Sequence, residues 1–398
     1  MANPFLIYII SFLTVILFYA FGWSDAYPGL TWTTIMFFIL TFVICGFAWA
    51  YTRKKKIINY VDAEYSNNLI YVTILIILGN IAEFIYFGSI PIFSKKINYL
   101  EFRGIPTFHV ILYTFTIFFA VYLYHVYIST RKKIVILLYL ICLIPSVLLI
   151  SRGMFMNIFL GCFFVTLLKV DLNLNFYKKN ITKFIILFLA MFYFFGVFGN
   201  YRNNTLNKSE EKFSSNYILE VGEASQRFKK SIIPKPFFWA YIYISSPLAN
   251  LQLNIDKTSP QINTNNLMKF VGNEIVPDFL SKRFFSKTDV REENAVLLIK
   301  PELTVGSFYL GAFHYLGWAG VAILFLYLIG ICYFYITLLS KSNMFAITGV
   351  AMLCNIVALS TFSNILSFSG MSFQLCYPLI FEGILVFKRK YKRKYKRT

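Results

Sequence analysis

The chain has 398 residues, 58% of them hydrophobic and only 14% charged, with a formal net charge of +20. Soluble globular chains carry about 25% charged residues, and the apolar residues here fall in long blocks, which excludes an ordinary soluble fold. The basic clusters stand between apolar blocks, so the excess charge reads as a topology signal and not as a nucleic-acid surface. All six cysteines lie inside apolar blocks with no CxxC spacing, so neither a disulfide framework nor a zinc site is suggested.

Blocks of about 18 or more apolar residues cover a roughly 30 Å hydrocarbon core when helical. They must be helical, because lipid offers no partner to a bare backbone amide. The sequence predicts spans at 4–23, 29–51, 69–88, 107–128, 134–150, 154–169, 184–200, 317–339, 343–361 and 371–387. The fold class is therefore all-α, a polytopic membrane bundle of about ten helices. The first block lacks a basic leader and a small-residue cleavage site, so it reads as a span and not a removed signal.

Short loops set the orientation. Arg53–Lys56, Arg131–Lys133, Lys169, Lys178, Lys179, Lys183, Lys341 and the tail at 388–398 all fall on one side if ten spans alternate. That side is expected to be cytoplasmic, with both termini on it. The opposite side then holds one large loop at 201–316. Within it, Phe237–Leu253 is semi-apolar but interrupted by Pro247, Asn250 and Gln252, and reads as a helix lying in the interface or dipping in from outside.

Ionisable groups at membrane depth cost roughly 2.5–3.5 kcal/mol each and need a reason. Arg152 sits in Ser151–Gly153 between two apolar blocks. Its guanidinium could grip a phosphate, or cap a helix and snorkel to headgroups. Arg202 follows Tyr201 at the end of the seventh block, again either a phosphate ligand or part of an interfacial belt. Glu83, near the outer end of the third block, is a candidate partner for these arginines, a general base, or half of an interhelical ion pair. His109 and His314 lie near outer ends, where a lone His more often packs than catalyses. Arg291 and Glu292 precede an aromatic, Gly-spaced approach to the eighth block, where Tyr309, Phe313, Tyr315 and Trp318 could stack on sugar rings or form an interfacial belt. Walker A, DxD, HExxH and GxSxG motifs are absent.

Together these features resemble the Wzy-type O-antigen or oligosaccharide repeat-unit polymerases of bacterial envelopes. The shared pattern is many apolar spans, Gly104–Pro106 entering a span, Ser151–Gly153, the YRNN at 201–204, one large outer loop, and a closing stretch at 304–320. The resemblance implies a GT-C-like helical fold in the bacterial inner membrane with a large periplasmic loop. It implies transfer of a growing glycan from undecaprenyl pyrophosphate to a new lipid-linked repeat unit, with no metal or nucleotide cofactor and with a chain-length regulator as a partner protein. By position, Arg152 and Arg202 match the family's pyrophosphate-binding arginines, with Arg291 third. Glu83, Glu292 or His314 would act as the base, and Tyr201 would join the substrate site. A lipid-linked-sugar flippase, an acyltransferase and an O-antigen ligase are the alternatives. The first would want paired half-domains and the second a His in an early span, which spans one to three lack.

Overall fold

The computed structural model describes residues 2–93, 102, 104–170, 174–206, 210–284, 296–339 and 343–395, with Arg152 and residues 174–181, 184, 187, 206 and 389–395 as main chain only. Among the described residues the chain is helical, with one isolated bridge between Ser24 and Ala224. The helices are α1 (Pro4–Tyr19), α2 (Trp32–Lys54), α3 (Asn68–Phe87), α4 (Phe108–Thr130), α5 (Lys133–Leu148), α6 (Arg152–Lys169) and α7 (Leu174–Leu206). There follow α8 (Asn216–Val221), α9 (Gln226–Lys229), α10 (Phe237–Lys257), α11 (Thr264–Phe270), α12 (Asp278–Phe284), α13 (Leu310–Leu338), α14 (Ala346–Leu359), α15 (Ser369–Ser372) and α16 (Cys376–Tyr395).

Among the described residues, five segments are long and apolar enough to cross a bilayer: α2, α3, α4, α13 and residues 369–388. Four shorter apolar helices, α1, α5, α6 and α14, pack with them. The outward faces are apolar: Phe47 is 74% exposed and Ile85 75%. An aqueous surface does not carry a continuous belt of that kind, whereas lipid accepts it without cost. The chain is an all-α membrane protein.

The two ends of the bundle differ in chemistry. At the basic end, Lys169 Nζ reaches Asp62 (3.3 Å) and the Ile128 carbonyl (2.7 Å), and Lys132 stands 4.2 Å over the Tyr65 ring. Asn3 caps α1 through the Phe5 amide and donates to Thr52 at the end of α2, which ties the first hairpin shut there. Cations in the last turn of α2, Arg53 and Lys54, meet the negative end of its dipole. The opposite end, here the loop end, gathers the long connections and the segment between α7 and α13.

Three elements bear on the sequence expectation. First, α7 runs on to Leu206, so the YRNN stretch lies inside a helix and not after one. Second, the helix expected over Phe237–Leu253 is present as Phe237–Lys257, unbroken through Pro247, and most of it is buried. Its first half meets the α1–α2 connection, with the Tyr27 hydroxyl 3.1 Å from Ser245 Oγ. Its second half meets the start of α2, where Thr34 donates to Gln252 Oε1 at 2.7 Å. Helix α10 therefore stays at the loop end along its whole length. Third, α13 is two helices joined at Gly317, whose φ of 59° and ψ of −144° turn the chain sharply. Glycine alone adopts that conformation freely. The turn brings Tyr309 and Phe325 onto the same ring: the Tyr309 hydroxyl is 2.6 Å from that of Tyr8, and Phe325 lies 5.7 Å from the Tyr8 ring. Residues 310–316 thus form a short inward-reaching arm before the long part of α13.

The polar side chains of α10 explain how that arm is held. Asn250 donates to the Leu303 and Val305 carbonyls and accepts from the Ile299 amide. Asn254 donates to the Leu297 carbonyl and accepts from its amide. The strap 297–305 has no ladder of its own, and these amides satisfy its backbone as buried main chain requires.

Candidate functional site

The most chemically capable group of side chains at the loop end is built on α3 and α4. Asn80 and Glu83 fall on the inward stripe of α3, and Glu83 is buried with a side chain only 2% exposed. His109 opens the first turn of α4, and its Nδ1 lies 2.7 Å from Glu83 Oε2. An ionised carboxylate can only accept, so opposite one Nδ1 donates, and the neutral imidazole then carries its lone pair on Nε2. The His109 side chain is 24% exposed, so any proton exchange with a ligand runs through the imidazole and not through Glu83.

Gly104–Pro106 closes over this pair. The Ile105 amide donates to Glu83 Oε1 at 3.3 Å. Gly104 has φ +56°, and a Cβ there would stand 2.6 Å from Glu83 Oε1. Backbone strain collects around the same spot. Thr107 has φ +69° and Ile150 φ +52°, a sign of φ that β-branched residues rarely adopt. Such outliers cost about 1–3 kcal/mol each and persist only where the surroundings impose them.

One turn along α4, the Tyr113 hydroxyl is 3.0 Å from Ser151 Oγ. Ser151 also accepts from the Met154 amide and caps α6, whose first residue is Arg152. Below it, Asn157 donates to the Gly153 carbonyl (2.7 Å) and accepts from Asn355 of α14 (2.9 Å), which pins the first turn of α6. Free amides and the positive end of the dipole make such a first turn an anion site. On the far side, Arg283 at the end of α12 donates to Thr107 Oγ1 at 3.5 Å. Helix α12 is fixed by Asp278, which accepts from the Ser369 amide and hydroxyl. Partial burial opposes ionisation of Asp278, but the Ser369 bonds and Lys282 outweigh it and hold its carboxyl below the usual range.

Of the residues singled out in the sequence, Glu83 and Arg152 thus stand on neighbouring parts of one site, linked through His109, Tyr113 and Ser151. Tyr201 and Arg202 stand elsewhere, on α7, which packs mainly on α8 and α10, while α6 packs on α4, α5 and α14. The YRNN stretch has a structural explanation: Asn200 and Asn204, one turn apart, bind the returning chain. Asn200 donates to Phe213 O and Ser215 Oγ, and Asn204 to the carbonyls of Glu211, Lys212 and Ser214. Tyr201 leans on Phe213 with ring centroids 5.6 Å apart. His314 is on the arm 310–316, half-buried, with its ring 5.2 Å from that of Tyr315. Arg291 and Glu292 lie outside the described residues.

A second buried carboxylate went unnoticed in the sequence. Glu274, in a single π-helical turn (Val271–Ile275), packs against Gly311 and accepts from Asn364 at 2.9 Å. Burial pushes its pKa up to about 7, against the Asn364 bond, which lowers it. It fastens the 264–284 segment to the 360–370 turn through the Asn364 amide, which also donates to the Glu274 carbonyl.

Comparison with protein-family models, with curated proteins and with solved structures finds no match to this chain.

Proposed function

We propose that the chain is a glycosyltransferase of the bacterial inner membrane that polymerises lipid-diphosphate-linked oligosaccharide repeat units at the extracytoplasmic face. The observation that carries this reading is the Glu83–His109 pair, 2.7 Å apart, beside the capped first turn of α6 that bears Arg152. The short basic loops support this reading, since they favour the cytoplasmic side for the opposite end and so leave the loop end outside.

In this reading the donor and acceptor lipids lie in the bilayer beside the bundle, with their diphosphates at the loop end. His109 Nε2 takes the proton from an acceptor sugar hydroxyl while Glu83 stabilises the imidazolium. The hydroxyl oxygen bonds to the donor's anomeric carbon, and the bond from that carbon to the diphosphate oxygen breaks. The departing diphosphate keeps the electron pair. Arg152, the amides of α6's first turn and Arg283 meet the charge that grows on it. The strap 297–305 and the 264–284 segment hold the two glycans in register, which supplies proximity.

The test is genetic and chemical. Cells lacking this chain should display a surface glycan of one repeat unit, and restoring the chain should restore long polymer. Absence of any glycan at the surface would point to lipid-linked-sugar transport or ligation and would overturn the assignment.

A further inference from the structure

The segment Gln226–Lys235 forms a rigid knuckle whose chemistry the proposed reaction does not use. Lys235 turns its ammonium inward and donates to the carbonyls of Phe228 (3.0 Å), Ser231 (2.8 Å) and Ile233 (3.3 Å). Its charge is consumed in fixing the turn. The other cations, Arg227, Lys229 and Lys230, are exposed, and between them and Pro234 the side chain of Ile232 stands fully out at 101%. The turn thus presents one bare aliphatic side chain flanked by three cations.

Its position in the fold says what covers it. The Phe228 ring rests on Trp23, centroids 4.5 Å apart, just past the end of α1. Pro236, which follows the knuckle, is pressed against Gly196 of α7 so closely that no Cβ would fit there. On either side of Gly196, α7 exposes Phe194 (56%) and Phe198 (69%), part of its lipid-facing belt. The knuckle is therefore continuous with the apolar rim of the bundle. An aliphatic tip at that level enters the acyl region while flanking Lys and Arg reach headgroups.

We infer that residues 226–235 are a bilayer anchor that inserts Ile232 and binds anionic phospholipid headgroups through Arg227, Lys229 and Lys230. The anchor fixes the tilt of α10, which begins at Phe237 directly after it.

The experiment uses the full chain reconstituted in vesicles of a zwitterionic phospholipid mixed with phosphatidylglycerol. A fluorophore is placed at Ile232→Cys. The native cysteines are buried or half-buried, and the unsubstituted chain supplies their background. Acyl-brominated phosphatidylglycerol should quench the label more strongly than the brominated zwitterionic lipid, and aqueous iodide should quench it little. Changing Lys229→Ala or Lys230→Ala should each reduce the preference for the anionic lipid about fivefold, as expected for about 1 kcal/mol per interfacial cation. Strong iodide quenching with no lipid quenching would overturn the insertion. An anionic preference unchanged in the doubly substituted K229A/K230A chain would overturn the headgroup site. Both results are independent of glycan polymerisation, because the exposed positions lie outside the Glu83–His109 site.

Discussion

Glu83 of α3 and His109 of α4 share a hydrogen bond of 2.7 Å across two helices, with the carboxylate buried and the imidazole reaching the surface. The arrangement orders the ring and leaves one nitrogen for an outside proton. It also explains the unusual backbone around it, since Gly104, Thr107 and Ile150 all hold positive φ within a few residues of the pair or of Ser151.

Gly104→Ala should damage this site without touching a charged residue. The new Cβ would meet Glu83 Oε1 and would hold a left-handed φ that alanine resists by about 1–2 kcal/mol. A lower Tm in detergent together with reduced polymer length is the expected outcome. An unchanged Tm would mean that the loop over Glu83 is not as described.

The strap 297–305 should loosen when its clamp is removed. Asn250→Ala leaves two carbonyls and one amide without their side-chain partner, at a cost of about 1–3 kcal/mol for each group that water cannot reach. Limited proteolysis should then cut near Ile299, with α1 and α2 intact. Asn254→Ala should give a weaker version of the same pattern.

Glu274 gives the 264–284 segment a pH dependence. Its pKa is raised to about 7 when docked, against 4.5 for the free group. The docked form therefore holds its proton more tightly than the undocked form. Docking strength is full below the free pKa, falls as pH rises toward 7, and is level above it. The protection of residues 264–284 against hydrogen exchange, taken relative to the intrinsic amide rate at each pH, should fall between about pH 5 and pH 7. Glu274→Gln should remove that dependence and keep the segment docked, and a pH response that survives the substitution would assign it to another group.

Much of the helical layout could be read from the sequence, because lipid demands long apolar blocks and closes every other option for the backbone. The intervals expected for α2, α3 and α4 agree with the helices within a few residues. What escaped was whatever depends on a second element. The helix holding Asn250 and Gln252 was expected, but the reason these residues interrupt its apolar run was not: they face the strap and the start of α2. His109 read as a packing residue because its partner stands on another helix, at a sequence distance no local pattern can bridge. The bend at Gly317 was equally hidden, since one more glycine among Gly306, Gly311 and Gly320 carries no mark of its own. Arg202 looked like an interfacial cation at a helix end, but the helix continues past it.

The central claim is that His109, oriented by Glu83, takes the proton from the acceptor hydroxyl. The direct measurement is polymer formation by purified protein in proteoliposomes supplied with a lipid-diphosphate-linked repeat unit, comparing the native chain with His109→Ala and Glu83→Gln at equal reconstituted amounts. The account predicts a fall of about 10²–10⁴-fold in turnover for His109→Ala and a smaller loss for Glu83→Gln. Polymer made at the native rate by His109→Ala would contradict it.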